Sequence, residues 1–180
     1  MIFAPRQVLT RHFWNSSRRK EFLSLNLSSK SQFHFGPLLS KINFKDGLSP
    51  PLNLKDIKQE NVTVPALESM EASQMYHLLR LYQISPINGI TKLRERSLLL
   101  HCLDNQLRNE DYESINVMEE NDVITQLYIR RIIFKNDEDV DILRNRLKEW
   151  VKYSEGIYEK GNESLILYAP VVAQGIGLEK

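Results

Sequence analysis

Leu78-Leu79-Arg80-Leu81-Tyr82-Gln83-Ile84-Ser85-Pro86-Ile87-Asn88-Gly89, followed by Leu93-Arg94-Glu95-Arg96, is the stretch whose reading decides the fold. Met75, Leu78, Leu79 and Tyr82 fall at i, i+3, i+4 and i+7, one apolar stripe on a helix. Ser69 with Ala72 makes a poor capping box, but Glu68 and Glu71 put negative charge at the positive end of the helix dipole. Ser85-Pro86 and Asn88-Gly89 stop the helix. Thr91 then caps a second one, whose Leu93, Ser97, Leu100, Leu103 and Leu107 form its inward face.

Downstream, the same sentence is written again. Met118-Glu119 follows Met70-Glu71 by 48 residues, and Leu127 and Ile132 follow Leu79 and Ile84 at the same offset. Leu143-Arg144-Asn145-Arg146 follows Leu93-Arg94-Glu95-Arg96 by 50, so the second loop is two residues longer. The third helix runs from about Glu119 to near Ile133, with Val123, Ile124 and Leu127 inward. After the Lys135-Asn136-Asp137 loop, a fourth carries Leu143, Leu147, Trp150 and Val151 to Gly156 or Gly161. Polar Asn109 to Asn116 connects the two units. Sustained β-type alternation is absent, so the pattern predicts an all-α bundle of repeated helix–loop–helix hairpins that bury their stripes against one another.

Outward from this core, the 180-residue chain holds 24 Lys and Arg against 23 Asp and Glu, but the charges are segregated. Through Lys45 there are eight basic residues and one acid, Glu21, a net +7; the remainder is net −6. The basic part is rich in Ser, and Ile2, Leu9 and Phe13 share a helical face flanked by Arg6 and Arg11. An Arg- and Ser-rich, acid-poor, amphipathic start is the composition of a mitochondrial transit peptide, assigned to residues 1–35 and set aside from the fold; a disordered basic arm for nucleic acid is the other reading. From His34 to Val64, Gly36-Pro37, Asp46-Gly47 and Ser49-Pro50-Pro51 break any long element, so residues 36–64 read as an irregular linker wrapping the domain's edge. The longest uncharged stretch, Ser164 to Leu178, is 15 residues and contains Pro170. That falls short of the ~20 apolar residues of a membrane span, so it is expected to pack on the domain or at a surface. Residues 65–169 thus form the expected domain and residues 170–180 a tail.

The motifs of catalysis are missing: no GxxxxGK[ST], GxGxxG or HExxH occurs. A lone Cys102 excludes a disulfide framework; in a Leu-rich helix it reads as a buried, inert thiol. His77 and His101 read as surface or hydrogen-bonded helix residues. Glu119-Glu120 and Asp137-Glu138-Asp139 lack the spacing of a calcium loop and read as helix-start acids. Tyr76, Tyr82, Tyr128 and Trp150 could stack on bases, but at helical spacing among leucines they read as core. The chain therefore reads as a non-enzymatic binding protein, with no metal, cofactor or small-molecule substrate implied.

Those residues, taken in order, resemble the ribosome-binding domain of the LETM family, leucine-zipper and EF-hand transmembrane proteins of the mitochondrial inner membrane. The first family hairpin, a Leu-rich helix, a Pro/Gly turn and a Leu-Arg helix, is similar to Leu78–Gly89 with Leu93–Arg96. The second, with an acidic lead-in, an Arg-ended helix and a Leu-Arg-x-x-Leu-x-x-Trp helix, is similar to Asn109-Glu110-Asp111, Ile129-Arg130-Arg131 and Leu143–Trp150. Ser164-Leu165-Ile166-Leu167 resembles the apolar segment that follows. The match spans about Val64 to Ala169. Where family members usually carry Gly, this chain has Gln83, and Tyr128-Ile129-Arg130-Arg131 replaces a Cys-x-x-Arg-Gly-like turn. The family's transmembrane helix, EF-hand and coiled coil have no counterpart in the sequence. The resemblance implies a 14-3-3-like helical domain in the mitochondrial matrix, at or near the inner membrane, that contacts the mitochondrial ribosome (rRNA or ribosomal proteins) or insertion partners. Two other readings are a peripheral regulator of inner-membrane K+/H+ homeostasis and a SAP-like nucleic-acid module. Cationic contacts to a phosphate-rich partner fall to Arg80, Lys92, Arg94, Arg96, Arg130, Arg131, Lys135, Arg144, Arg146 and Lys148.

Overall fold

In a computed structural model, residues 16–158 and 162–175 are described. They form seven α-helices and one two-stranded ladder: α1 Ser16–Leu39, β1 Asn43–Phe44, β2 Val62–Thr63, α2 Ala72–Leu81, α3 Gly89–Asn109, α4 Glu113–Val117, α5 Glu120–Ile129, α6 Val140–Tyr153 and α7 Ser164–Gln174. The class is all-α. Ile2, Arg6, Leu9, Arg11, Phe13, Gly161 and the last five residues of the expected tail lie outside the described residues.

The 48-residue repeat is physical. α2 and α5 are ten residues each, and start and end at that offset. Each is closed by a residue with left-handed backbone, Gln83 (φ 56°) and Arg131 (φ 59°). Each turn is sealed by the same bond, Ile84 N–H to Leu79 O at 2.9 Å and Ile132 N–H to Leu127 O at 3.0 Å, satisfying a carbonyl the helix end leaves open. The third helix therefore stops at Ile129, four residues before the expected Ile133, because the turn at Arg131 redirects the chain. Buried Leu67 and Ile115, again 48 apart, sit in short helical turns leading into each unit. Leu93 and Leu143, at the start of each returning helix, are both fully buried.

The largest correction concerns residues 16–35. Set aside with the leader, they instead make most of α1, the longest helix, packed across α2, α5 and α7. Its inward positions are Lys20, Ser24, Leu27, Ser31, His34, Phe35 and Leu38. The spacing is helical but four of the seven residues are polar, which hides the stripe. Lys20 is buried because its ammonium donates to Glu120 Oε1 at 2.8 Å and to the Glu138 carbonyl at 2.6 Å. Arg19 donates to the Asn121 carbonyl (3.0 Å) and Thr125 Oγ1 (2.6 Å).

Residues 36–64 are built into the fold and are more than a linker. Ile42, Leu52, Ile57, Val62 and Val64 enter the core, β1 and β2 pair antiparallel (Asn43 with Thr63, Phe44 with Val62), and Leu52 N–H donates to Val172 O at 3.1 Å. α7 lies between α1 and α3 and is buried on every side from Ser164 to Val172, as expected of a helix apolar all round. A boundary at Ala169 would cut it in half. Among the described residues no helix is long and apolar enough to cross a membrane.

Candidate functional site

The ten cations named from the sequence separate by burial. Arg130, at the C-cap of α5, is 1% exposed. Its Nε donates to Asp104 Oδ1 at 2.8 Å, with Nη2 2.7 Å from the same oxygen, and Nη1 reaches the Gln126 carbonyl and Oε1. Arg131 is also buried; its guanidinium lies 4.5 Å from the Tyr128 ring centroid and 5.8 Å from that of Tyr82, and burial lowers its pKa. Neither side chain reaches the surface, so neither is a partner contact: both tie α5 to the rest of the bundle.

The Leu-Arg-x-Arg repeats occupy equivalent places, and their work is internal. Arg94 reaches back to Glu68, ahead of α2, while Arg144 donates to the Met118 carbonyl from Nε (3.1 Å) and Nη2 (2.6 Å), ahead of α5. Each thus pins a returning helix to the lead-in of its own hairpin. Arg146 donates to the Ile133 carbonyl and to both Glu138 carboxylate oxygens; that bonding is the main reason the Glu138 carboxyl is held below its usual range. Arg96 lies over the Tyr82 ring at 5.9 Å, and Lys148 is half-buried. Arg80, Lys92, Arg94 and Lys135 remain exposed, with Lys92 paired to Glu95 at 3.0 Å. Among the described residues Arg80 has no acidic partner.

A surface that the sequence reading missed forms around Arg80. Tyr76, assigned to the core, is 50% exposed, and Arg80 one turn on lies over its ring at 5.6 Å. On α1, Phe33 is 72% exposed, and His34 packs edge-on to both Phe33 and Tyr76. His34 Nδ1 lies 3.0 Å from His77 Nδ1, bridging α1 and α2. The charged groups acting on His34 are all cationic; burial first, then His77, Lys30 and Arg80, lower its pKa to about 4. Beside Tyr76 and Arg80 opens a cleft of about 320 Å³ whose other walls include Met75, Leu79, Ile84 and Pro86. Two i, i+3/i+4 pairs, Lys30–Phe33 and Tyr76–Arg80, were the available signal, hidden because α1 was excluded from the fold.

No protein family, curated protein or solved structure matches this chain.

Other sequence-level assignments resolve as follows. Tyr82 and Trp150 are core; the Tyr82 hydroxyl donates to the Leu167 carbonyl at 2.8 Å. Tyr128 is half-buried and donates to Asn26 Oδ1, which also accepts from Gln83 Nε2. Cys102 is exposed, not buried as expected, because its turn of α3 faces solvent with Leu98 and Leu99. His101 stacks on Tyr158 and bonds Asn105. Glu119 and Asp139 are helix N-caps, and no metal-holding cluster occurs among the described residues. A larger cavity of about 470 Å³ lies between Trp150, Tyr153 and Leu54. Two of its polar walls, Arg146 and Gln174, are already bonded to backbone.

Proposed function

We propose that this chain is a mitochondrial protein carrying a LETM-type domain, and that it binds the mitochondrial ribosome as an adaptor in translation or inner-membrane insertion. The observation that carries the proposal is the ordered pair of hairpins. The residues that resemble the family fall into two like units, each turned by left-handed backbone where family members usually carry glycine. The matrix location draws on the basic, Ser-rich start of the chain. Partner contact falls to the exposed cations Arg80, Lys92 and Lys135 rather than to the arginines that hold the hairpins together. Sedimentation of mitochondrial lysates tests it: the protein is expected to co-migrate with ribosomal particles at low salt and to leave them as salt rises, since phosphate contacts release counterions. A protein that never co-migrates, even at low salt, refutes the proposal.

A further inference from the structure

We infer that the aromatic–cationic surface shared by α1 and α2, centred on Phe33, Tyr76 and Arg80, binds single-stranded RNA. Three observations converge. Two rings, Phe33 and Tyr76, stand out to solvent although neither is needed to close the core, and the imidazole of His34 links them edge to face. Lys30 and Arg80 lie close enough to bias His34, and neither has an acidic partner among the described residues, so the patch carries uncompensated positive charge. A cleft of about 320 Å³ with apolar walls opens beside Tyr76 and Arg80. Exposed rings flanked by unpaired cations are what a splayed single strand needs: faces on which bases stack, and charges for the phosphates between them. A duplex hides its base faces and can use only the charges. The choice of RNA over DNA rests on the ribosomal proposal above; the stacking argument does not.

The test uses the full 180-residue chain and a fluorescein-labelled, mixed-sequence 12-nucleotide RNA, read by anisotropy across a salt series. Controls are the same RNA as a duplex, the same sequence as single-stranded DNA, and heparin as a polyanion without bases. The single strand is expected to bind at least ~10-fold tighter than the duplex. Tyr76→Ala should weaken the single-stranded complex by about 5- to 150-fold, the range for losing one base–aromatic stack, with Phe33→Ala acting in the same direction. Tyr76→Phe should keep the affinity, and Tyr76→Ala should leave heparin binding unchanged. Arg80→Gln should flatten the salt slope by about 0.7, the share of one phosphate contact on a single strand. Because these side chains are exposed, circular dichroism of each variant should match the parent.

Equal binding of duplex and single strand, or unchanged affinity in both Tyr76→Ala and Phe33→Ala, overturns the inference. Tighter binding of the DNA than of the RNA overturns the assignment to RNA. Co-sedimentation with ribosomes, run in parallel, keeps the two proposals apart. Tyr76-dependent RNA binding without co-sedimentation upholds the surface and refutes the ribosomal reading. Co-sedimentation lost in Tyr76→Ala, with no RNA binding by the parent, makes the surface a protein contact and overturns the inference.

Discussion

Removing the carboxylate of Asp104 should unfold this bundle more readily than any comparable surface change. Asp104 and Arg130 are each 1% exposed, and their ion pair joins the middle of α3 to the end of α5, one helix from each hairpin. In Asp104→Ala the guanidinium keeps its bonds to Gln126 but loses, in a buried site, the only anion it pairs with among the described residues. Breaking such a pair from one side costs about 3–5 kcal/mol, because the surviving charge stays desolvated. For a chain of this size that converts to a fall in Tm of about 6–20 °C. The pair is not itself an efficient stabiliser. Asp104 Oδ2 is buried without a hydrogen-bond partner, a defect worth about 1–3 kcal/mol against the charged pair. The double variant Asp104→Leu/Arg130→Met should therefore recover the parent's stability or exceed it, as replacement of buried ion pairs by apolar residues often does. Urea unfolding of the parent, Asp104→Leu, Arg130→Met and the double variant gives the cycle directly, with Asp104→Ala alongside and midpoints compared at constant slope. An Asp104→Ala loss under about 1 kcal/mol, or a double variant as unstable as the single, refutes the buried-pair reasoning.

Four other changes have defined outcomes. His34, held neutral to about pH 4 against an ordinary 6.5, leaves the unfolded chain binding more protons between those values, so stability should fall as pH drops from 6.5 to 4 and level off below; His34→Gln should lose that part of the slope in a Tm-versus-pH series. Gln83→Gly relieves a left-handed backbone costing roughly 1–2 kcal/mol against an entropy cost of about 0.5–1 for glycine, so a net gain of about 0.5–1 kcal/mol is expected in urea unfolding. Cys102 is exposed and should react with a disulfide reagent in the native protein at the rate of the urea-unfolded chain, within a few-fold. A chain begun at Gly36 loses buried Leu27 and Phe35, together about 3–6 kcal/mol of burial, along with the Lys20 contacts, and should show no cooperative melt, whereas one begun at Ser16 should melt like the parent.

The hairpins were legible because their chemistry is local. Met75, Leu78, Leu79 and Tyr82 carry a clean helical period, and Val123, Ile124 and Leu127 mark the inward face of the helix 48 residues on, so helix type, burial and order follow from neighbours along the chain. α1 was not legible for the opposite reason. Four of its inward residues, Lys20, Ser24, Ser31 and His34, are polar, and at least Lys20 and His34 are acceptable there only because Glu120, Glu138 and His77 arrive from elsewhere in the chain. Periodicity counts apolar residues; it cannot count a lysine whose acid lies 100 residues away. The wrapping segment escaped because it buries Ile42, Leu52 and Ile57 one at a time, without any period. The cationic residues were misassigned by the same blindness to distance: Arg130 reads as surface until Asp104, 26 residues upstream, is placed beside it.

Restoring α1 to the fold also changes what the charge segregation means. The chain from Ser16 onward holds 22 basic and 23 acidic residues, so the folded body is close to neutral rather than net −6. Several of the cations attributed to an address are spent inside the molecule: Lys20 neutralises Glu120, and Arg19 ties α1 to α5. Lys30, by contrast, is half-buried with no acidic partner among the described residues, and it adds its charge to that of Arg80 beside His34. A cleavable leader compatible with this fold therefore ends upstream of Arg19. The basic character of this region is divided between holding the helices together and presenting one local patch. Exposed charge of that kind favours recognition at a defined place on a partner over general coating of a polyanion, because the chain from Ser16 onward is close to neutral as a whole.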